Sequence, residues 1–143
     1  MKEIKGNLWE QEGILCITTN NFVKNNGCAV MGRGCAKEAS IIYTELPRKY
    51  GAYLLKKDYT SLYRFTTEKH DMIMFPVKHN WFEQADVELI KDSARKLAII
   101  AQNEPHRKFI LPRPGCGNGH LEWSVVMPAI EKLLPDNVLV ITW

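Results

Sequence analysis

Three glycines at alternate positions, Gly115, Gly117 and Gly119, lie in the stretch 111–123, LPRPGCGNGHLEW. Glycines so spaced let a backbone take left-handed angles and turn successive N–H groups toward one point, which is the chemistry of an anion cradle. The apolar run KFIL leads in, Pro112-Arg113-Pro114 follows, and an amphipathic segment opens at Trp123. A loop between a strand end and a helix start is a good place for phosphate or pyrophosphate. An ordinary turn needing flexibility would use the same residues. A second glycine-punctuated loop, residues 20–34, favours the first reading. It too joins an apolar strand to a helix, and two such loops at one sheet edge enclose a cleft.

The elements that must position these loops are legible in order. Residues 1–8 read as a short edge strand ending at Gly6-Asn7, and ILCITT (14–19) as a strand buried on both faces. A helix follows the first loop, with Cys35, Ala39, Ile42, Tyr43 and Leu46 on one face; Pro47 and Gly51 are expected to stop it. SLYRFT (61–66) and MIMFPV (72–77) read as two strands about a polar turn. Residues 84–102 form the clearest helix, with Ile90, Ala94, Leu97, Ala98 and Ala101 in a stripe. After the strand 108–111 and its loop, a last helix spans about 124–134, with Pro128 expected in or near its first turn. VLVITW closes the chain as a strand. This order predicts one domain, residues 1–143, as a three-layer α/β/α sandwich with a mixed central sheet. Ligands of such sheets bind beyond the strands' carboxyl ends, where both glycine loops should lie.

Composition narrows the function. With 45% apolar and 24% charged residues the 143-residue chain is an ordinary globular domain. A net charge of +3, scattered rather than blocked, suits a small polyanion better than duplex DNA. Cys16, Cys28, Cys35 and Cys116 form no Cys-x-x-Cys pair and have no histidine at zinc spacing, so no metal and no cofactor are expected. Without a signal peptide or an apolar run of membrane length, the expected setting is the cytoplasm, with free thiols and no membrane partner. A monomer is expected.

On KGNL after the first strand, ITTN at the end of the second, GCAVMGRGCA before the first helix, and LPRPGCGNGHLEW with the elements that follow it, the chain resembles a macro domain, the module that recognises ADP-ribose. The resemblance is nearly full length. It points to the branch of terminal ADP-ribose protein glycohydrolases and ADP-ribose 1″-phosphate phosphatases, which includes small bacterial and phage members. The ligand-binding positions it implies begin with Gly6, Asn7 and Leu8, where Asn7 replaces an adenine-binding Asp; a turn-capping Asn is the structural alternative. Thr19 is a further ligand-binding position, and Asn20 would line the distal ribose, an Asx turn being the other use of Asn20. Gly27, Cys28, Ala29, Val30 and Gly32 would hug the pyrophosphate and distal ribose. Pro112 and Arg113 are further ligand-binding positions, and Gly115, Cys116, Gly117, Asn118, Gly119 and His120 would form the second phosphate loop, with His120 either donating to phosphate or facing solvent.

The same resemblance implies that Lys78 attacks the anomeric carbon of the distal ribose. A lysine amine, with an ordinary pKa of about 10.4, must then be made neutral by desolvation or a nearby cation. Gly119 stands where that branch carries a catalytic acid, and Glu122 lies three residues further on. This departure favours attack by water positioned by Asn20 and His120 over attack by Lys78. The implied activity is hydrolysis at the 1″ position, from a phosphate or from a protein carboxylate ester, with ADP-ribose or an ADP-ribosylated protein as partner. The alternative is a module that captures ADP-ribose or a related nucleotide without turnover. RNA binding lacks an aromatic ladder or basic stripe, so a nucleic-acid partner is not expected.

Overall fold

In the computed structural model, which describes residues 1–143, the chain runs β1 (Lys2–Lys5), β2 (Ile14–Asn20), α1 (Gly34–Ile42), α2 (Leu46–Leu55), β3 (Arg64–Thr66), β4 (Asp71–Lys78), α3 (Val87–Asn103), β5 (Phe109–Pro112), α4 (Trp123–Glu131) and β6 (Val138–Thr142). A single 3₁₀ turn, Leu8–Glu10, follows β1. The strands form one mixed sheet ordered β1-β6-β5-β2-β4-β3. Every neighbouring pair is parallel except β3 with β4. The carboxyl ends of five strands therefore share one edge, and both glycine loops leave from it.

The alternation of side chains along β2 builds the three layers. Ile14 and Cys16 face a cluster with Ile90, Leu97 and Val126, so α3 and α4 cover that side. Leu15 and Ile17 face a cluster with Ala39, Leu46 and Tyr50, so α1 and α2 cover the other. All four β2 side chains are fully buried, and each Ile or Leu so placed contributes about 1.5–3 kcal/mol. The predicted stripe of α3 is buried throughout. Its start is fixed by Asp86, whose carboxylate accepts from the Glu88 N–H at 2.9 Å.

Two features differ from the sequence expectation. The helix after the first loop does not end at Pro47 and Gly51; it ends at Ile42, and Pro47 opens a second helix from its first turn. Gly51 sits inside α2 for reasons of space: a Cβ there would lie 2.0 Å from the Gly27 carbonyl oxygen. The glycine lets the first loop rest directly on the helix backbone. Pro128 lies in the second turn of α4, beyond the first-turn position expected. Burial of Val126 and Ile130 holds the segment helical, and Ser124, whose carbonyl loses its partner, is exposed to water.

β3 covers only the first half of β4, pairing with Asp71–Ile73. Beyond it, the Met74 N–H donates to the Tyr63 carbonyl at 2.8 Å. Pro76 has no N–H, and its carbonyl accepts from the Ser93 hydroxyl of α3 at 2.7 Å. No helix is long and apolar enough to cross a membrane.

Candidate functional site

A cleft of about 700 Å³ lies across the carboxyl ends of the parallel strands. Its lining includes Gly6, Asn7 and Leu8 after β1, Thr19 and Asn20 at the end of β2, and Val30 and Gly32 from the first loop. The second loop contributes Pro112, Arg113, Gly115, Cys116, Gly117, Asn118 and Gly119, and β4 contributes Lys78. Gly27, Cys28, Ala29 and His120 do not line it, contrary to expectation.

Local pairing explains the first absence. Residues 23–29 form a small hairpin: Val23 bridges Ala29, the Lys24 N–H donates to Cys28, and the Ala29 N–H donates to the Pro47 carbonyl at 2.8 Å. The hairpin leans on α2, and the chain returns to the cleft only at Val30. Asn20 spends its side chain on that loop. Its Oδ1 accepts from the Phe22 N–H at 2.9 Å, an Asx turn, and its Nδ2 donates to the Val30 carbonyl at 3.1 Å. One N–H of the amide is left for anything in the cleft. Asn7 likewise caps the Leu8–Glu10 turn, accepting from the Trp9 N–H at 3.0 Å.

Backbone donors face the cleft from two sides. The N–H groups of Gly34, Cys35 and Ala36 begin α1 without a partner, a side-chain cap or an acid in the first turn. Those of Gly117, Asn118 and Gly119 are also unpaired within the protein. The helix N-terminus and the loop together form a cradle for anions. Arg33, Lys78 and Arg113 outnumber Glu38, which is the one acid in the lining.

The second loop is rigidly built. Gly115 has φ +77°, and a Cβ there would meet Ile90 at 2.8 Å. Arg113 lies over the Trp123 ring at 4.9 Å, and Glu3 accepts from the Trp123 Nε1–H at 3.0 Å. This is the structural content of the Pro-Arg and Leu-x-Trp pattern: the two residues tie the loop to β1. His120 takes a left-handed backbone, φ +62°, with its N–H bonded to the Gly117 carbonyl at 3.1 Å; the residue faces solvent. Gly117, by contrast, has no positive φ, and a Cβ added there would meet no atom within 4 Å, because the residue faces the open cleft. Gly117→Val should therefore leave the melting temperature within a few degrees while lowering affinity for a diphosphate ligand by roughly tenfold or more through crowding. Calorimetry beside a thermal melt checks this, and unchanged affinity would remove the loop from the site.

Lys78 is at the centre. Its Nζ donates to the Asn118 carbonyl at 2.8 Å. Desolvation, and then the nearby Arg33 guanidinium, hold its pKa below the ordinary lysine value. Both effects favour the neutral amine. At Gly119, where the resembled branch carries an acid, no side chain fits: a Cβ would lie 2.5 Å from the Gly115 carbonyl oxygen and 2.7 Å from Ala85.

Sequence reasoning passes over Arg33, Glu38, Trp81 and Trp143, all of which line the cleft. Arg33 stands in plain view between Gly32 and Gly34. Trp81, half exposed three residues after Lys78, could be found by asking what an aromatic does on a polar loop. No three His, Cys, Asp or Glu side chains gather to hold a metal ion, and all four cysteines are free.

No protein-family model matches the chain. A DNA ADP-ribosyl transferase–DNA ADP-ribosyl glycohydrolase fusion protein of Thermosipho africanus is 26% identical, over 78% of this chain and 34% of its own. The chain thus spans about a third of the length of that relative. Among solved structures, Thermosipho africanus DarTG in complex with ADP-ribose superposes with a TM-score of 0.80 at 20% identity, over 98% of this chain and 41% of that one. The macrodomains of Mycobacterium tuberculosis DarG and Thermus aquaticus DarG give TM-scores of 0.79 and 0.78 at 22% and 23% identity. Each match covers 99% of this chain, and 97% and 96% of the respective macrodomain. In its sheet order, its layers and the cleft beyond its strand ends, the chain has the macro domain fold.

Proposed function

We propose that the protein binds ADP-ribose in the cleft and hydrolyses the bond between the distal ribose C1″ and an attached group. The observation that carries this reading is the position of Lys78, an amine biased toward neutrality in a cleft whose walls present two sets of unpaired backbone N–H groups. The diphosphate would lie between the α1 N-terminus and residues 117–119, where fixed dipoles need no reorganisation to hold it. The adenine would lie toward Asn7, whose Nδ2 remains available. The distal ribose would then face Lys78.

In this reading the Nζ lone pair attacks C1″ and the bonding pair of the C1″ linkage leaves with the departing group. Water then releases ADP-ribose and restores the lysine. Lys78 is preferred to Asn20 as the acting side chain because the Asn20 amide already holds the first loop. With no acid at Gly119, the leaving group must depart without strong protonation. A phosphate, a carboxylate or the ring nitrogen of a base can do so. The last is suggested by the relative named as a DNA ADP-ribosyl glycohydrolase.

The test is to incubate the protein with ADP-ribose 1″-phosphate, an ADP-ribosylated glutamate peptide and ADP-ribosylated single-stranded DNA, and to follow free ADP-ribose. Release from at least one is expected. ADP-ribose binding without any release would leave a capture module, and no binding at all would overturn the reading. The lowered pKa of Lys78 adds a pH signature. The active form is the neutral amine, so the single-turnover rate should climb as pH rises through a midpoint below about 10.4 and fall on acidification. A rate independent of pH between about 6 and 10 would count against lysine attack.

A further inference from the structure

The cleft runs most of the width of the sheet, and its two ends offer different chemistry. Lys78 lines it at the end of β4, and Asn7 lines it where β1 gives way to the Leu8–Glu10 turn. In the order β1-β6-β5-β2-β4-β3 those two strands are four steps apart, about 19 Å at a usual spacing of about 4.8 Å. With the diphosphate against the α1 N-terminus and the distal ribose before Lys78, the base of the ligand falls at the Asn7 end. The walls there suit a flat ring. Leu8 and Trp9 directly follow Asn7, Ile141 pairs with Ile4 of β1, and all three line the cleft.

What this end offers a base follows from the hydrogen bonds already made there. The Asn7 Oδ1 accepts from the Trp9 N–H at 3.0 Å. Only an oxygen can accept from that N–H, so the amide cannot be turned over and Nδ2 is the atom left free. Trp9 Nε1 and Asn21 Oδ1 are the buried side-chain polar atoms without a partner, so the unpaired Asn7 Nδ2 is open to solvent. Nearby acceptors are already bonded. The Asn7 carbonyl takes the Glu10 N–H at 3.2 Å and the Gln11 Nε2–H at 3.1 Å, and the Thr142 carbonyl takes the Gly6 N–H at 2.9 Å. The backbone N–H groups of Asn7 and Leu8, by contrast, donate to nothing in the protein, although Leu8 is only 8% exposed. Donors therefore dominate. The one lone pair left on Oδ1 stands beside two N–H groups on Nδ2.

We infer that Asn7 selects the base and that the site prefers a 6-oxopurine to adenine, an inference that rests on the ADP-ribose reading for where the base lies. A 6-oxopurine presents two adjacent acceptors, O6 and N7, whereas adenine presents N7 beside the N6 amino donor. Against Nδ2 the oxo group gains a hydrogen bond. The amino group meets another donor there, and both lose water without compensation. A carboxylate at the same position would reverse the choice, because it can only accept. The amide is thus a change of specificity rather than a weakened copy of an acid. The ligand class is a nucleoside diphosphate ribose whose purine carries oxygen at C6.

The experiment titrates ADP-ribose and its hypoxanthine analogue, which has an oxo group in place of the 6-amino group, into wild-type protein and Asn7→Asp by calorimetry. The wild type should bind the hypoxanthine form about tenfold more tightly, the scale of one hydrogen bond made against one donor left unpaired. In Asn7→Asp the preference should invert, since adenine then donates to a carboxylate. The aspartate keeps an oxygen for the Trp9 N–H, so the variant should fold and melt close to the wild type. ADP-ribose binding to the wild type as tightly as the analogue, or more tightly, overturns the inference. So does an Asn7→Asp protein that keeps the wild-type order. Adenosine and inosine 5′-diphosphate, which lack the distal ribose, are titrated alongside. A preference for inosine diphosphate that the distal ribose does not strengthen keeps the base assignment and sinks the ADP-ribose reading. Tight ADP-ribose binding without preference for the oxo base does the opposite.

Discussion

Lys78→Ala is expected to abolish ADP-ribose release, by about a thousandfold or more, the scale seen when a group acting at the reacting atom is removed. ADP-ribose affinity should change little, since the lysine's present contact is with the Asn118 carbonyl rather than with an anion cradle. Asn20→Ala should act differently. It removes the Asx turn and the tie to Val30, loosens the first loop, and costs affinity and rate together. If water attacks instead, the order reverses. Lys78→Ala would then retain most of its turnover, while a misplaced ribose in Asn20→Ala could lose roughly a hundredfold. Measuring both variants on one substrate, with single-turnover rates beside calorimetry, decides between the two. Borohydride trapping of an adduct on wild-type protein, lost in Lys78→Ala, would give independent support.

The second large effect is on folding. Gly119→Asp would put back the acid that the resembled branch carries, and simple analogy predicts a gain of activity. The clearances predict damage. The new Cβ would press 2.5 Å from the Gly115 carbonyl oxygen and 2.7 Å from the Ala85 methyl, against backbone that cannot swing aside. Overpacking of this kind costs about 3 kcal/mol, which for a domain of this size is roughly a 10 °C fall in melting temperature. A thermal melt and an activity assay suffice. A variant that melts like the wild type and turns over faster would show that Gly119 is merely a missing acid.

Much of the architecture can be read from the chain because its strongest signals are burial signals. The continuous apolar run of β2, the stripe of α3 and the strand 108–111 all face two layers or a core, and only one element type suits each. The break between α1 and α2 is hidden because Pro47 can stop a helix or start one. The choice depends on whether Leu46, Tyr50 and Leu54 find a core, which is a tertiary fact. The site is legible where backbone shape matters and less so where side chains do. Glycine spacing locates residues 115–119, but nothing in it says that Gly119 is crowded while Gly117 is open. Asn20 and His120 stand out by type alone. The first holds its own loop, and the second faces solvent in a left-handed turn.

The half-covered strand β4 has one further consequence, for how copies of the chain behave when crowded together. An unpaired strand edge is a template for pairing with a neighbour, and long exposed edges invite aggregation. Here the exposed stretch offers little to a neighbour. Pro76 has no N–H to donate, and the Ser93 hydroxyl already occupies the Pro76 carbonyl. The opposite edge, β1, carries Lys2, Glu3 and Lys5 in four residues. Both edges of the sheet are thus closed to strand addition by chemistry rather than by cover.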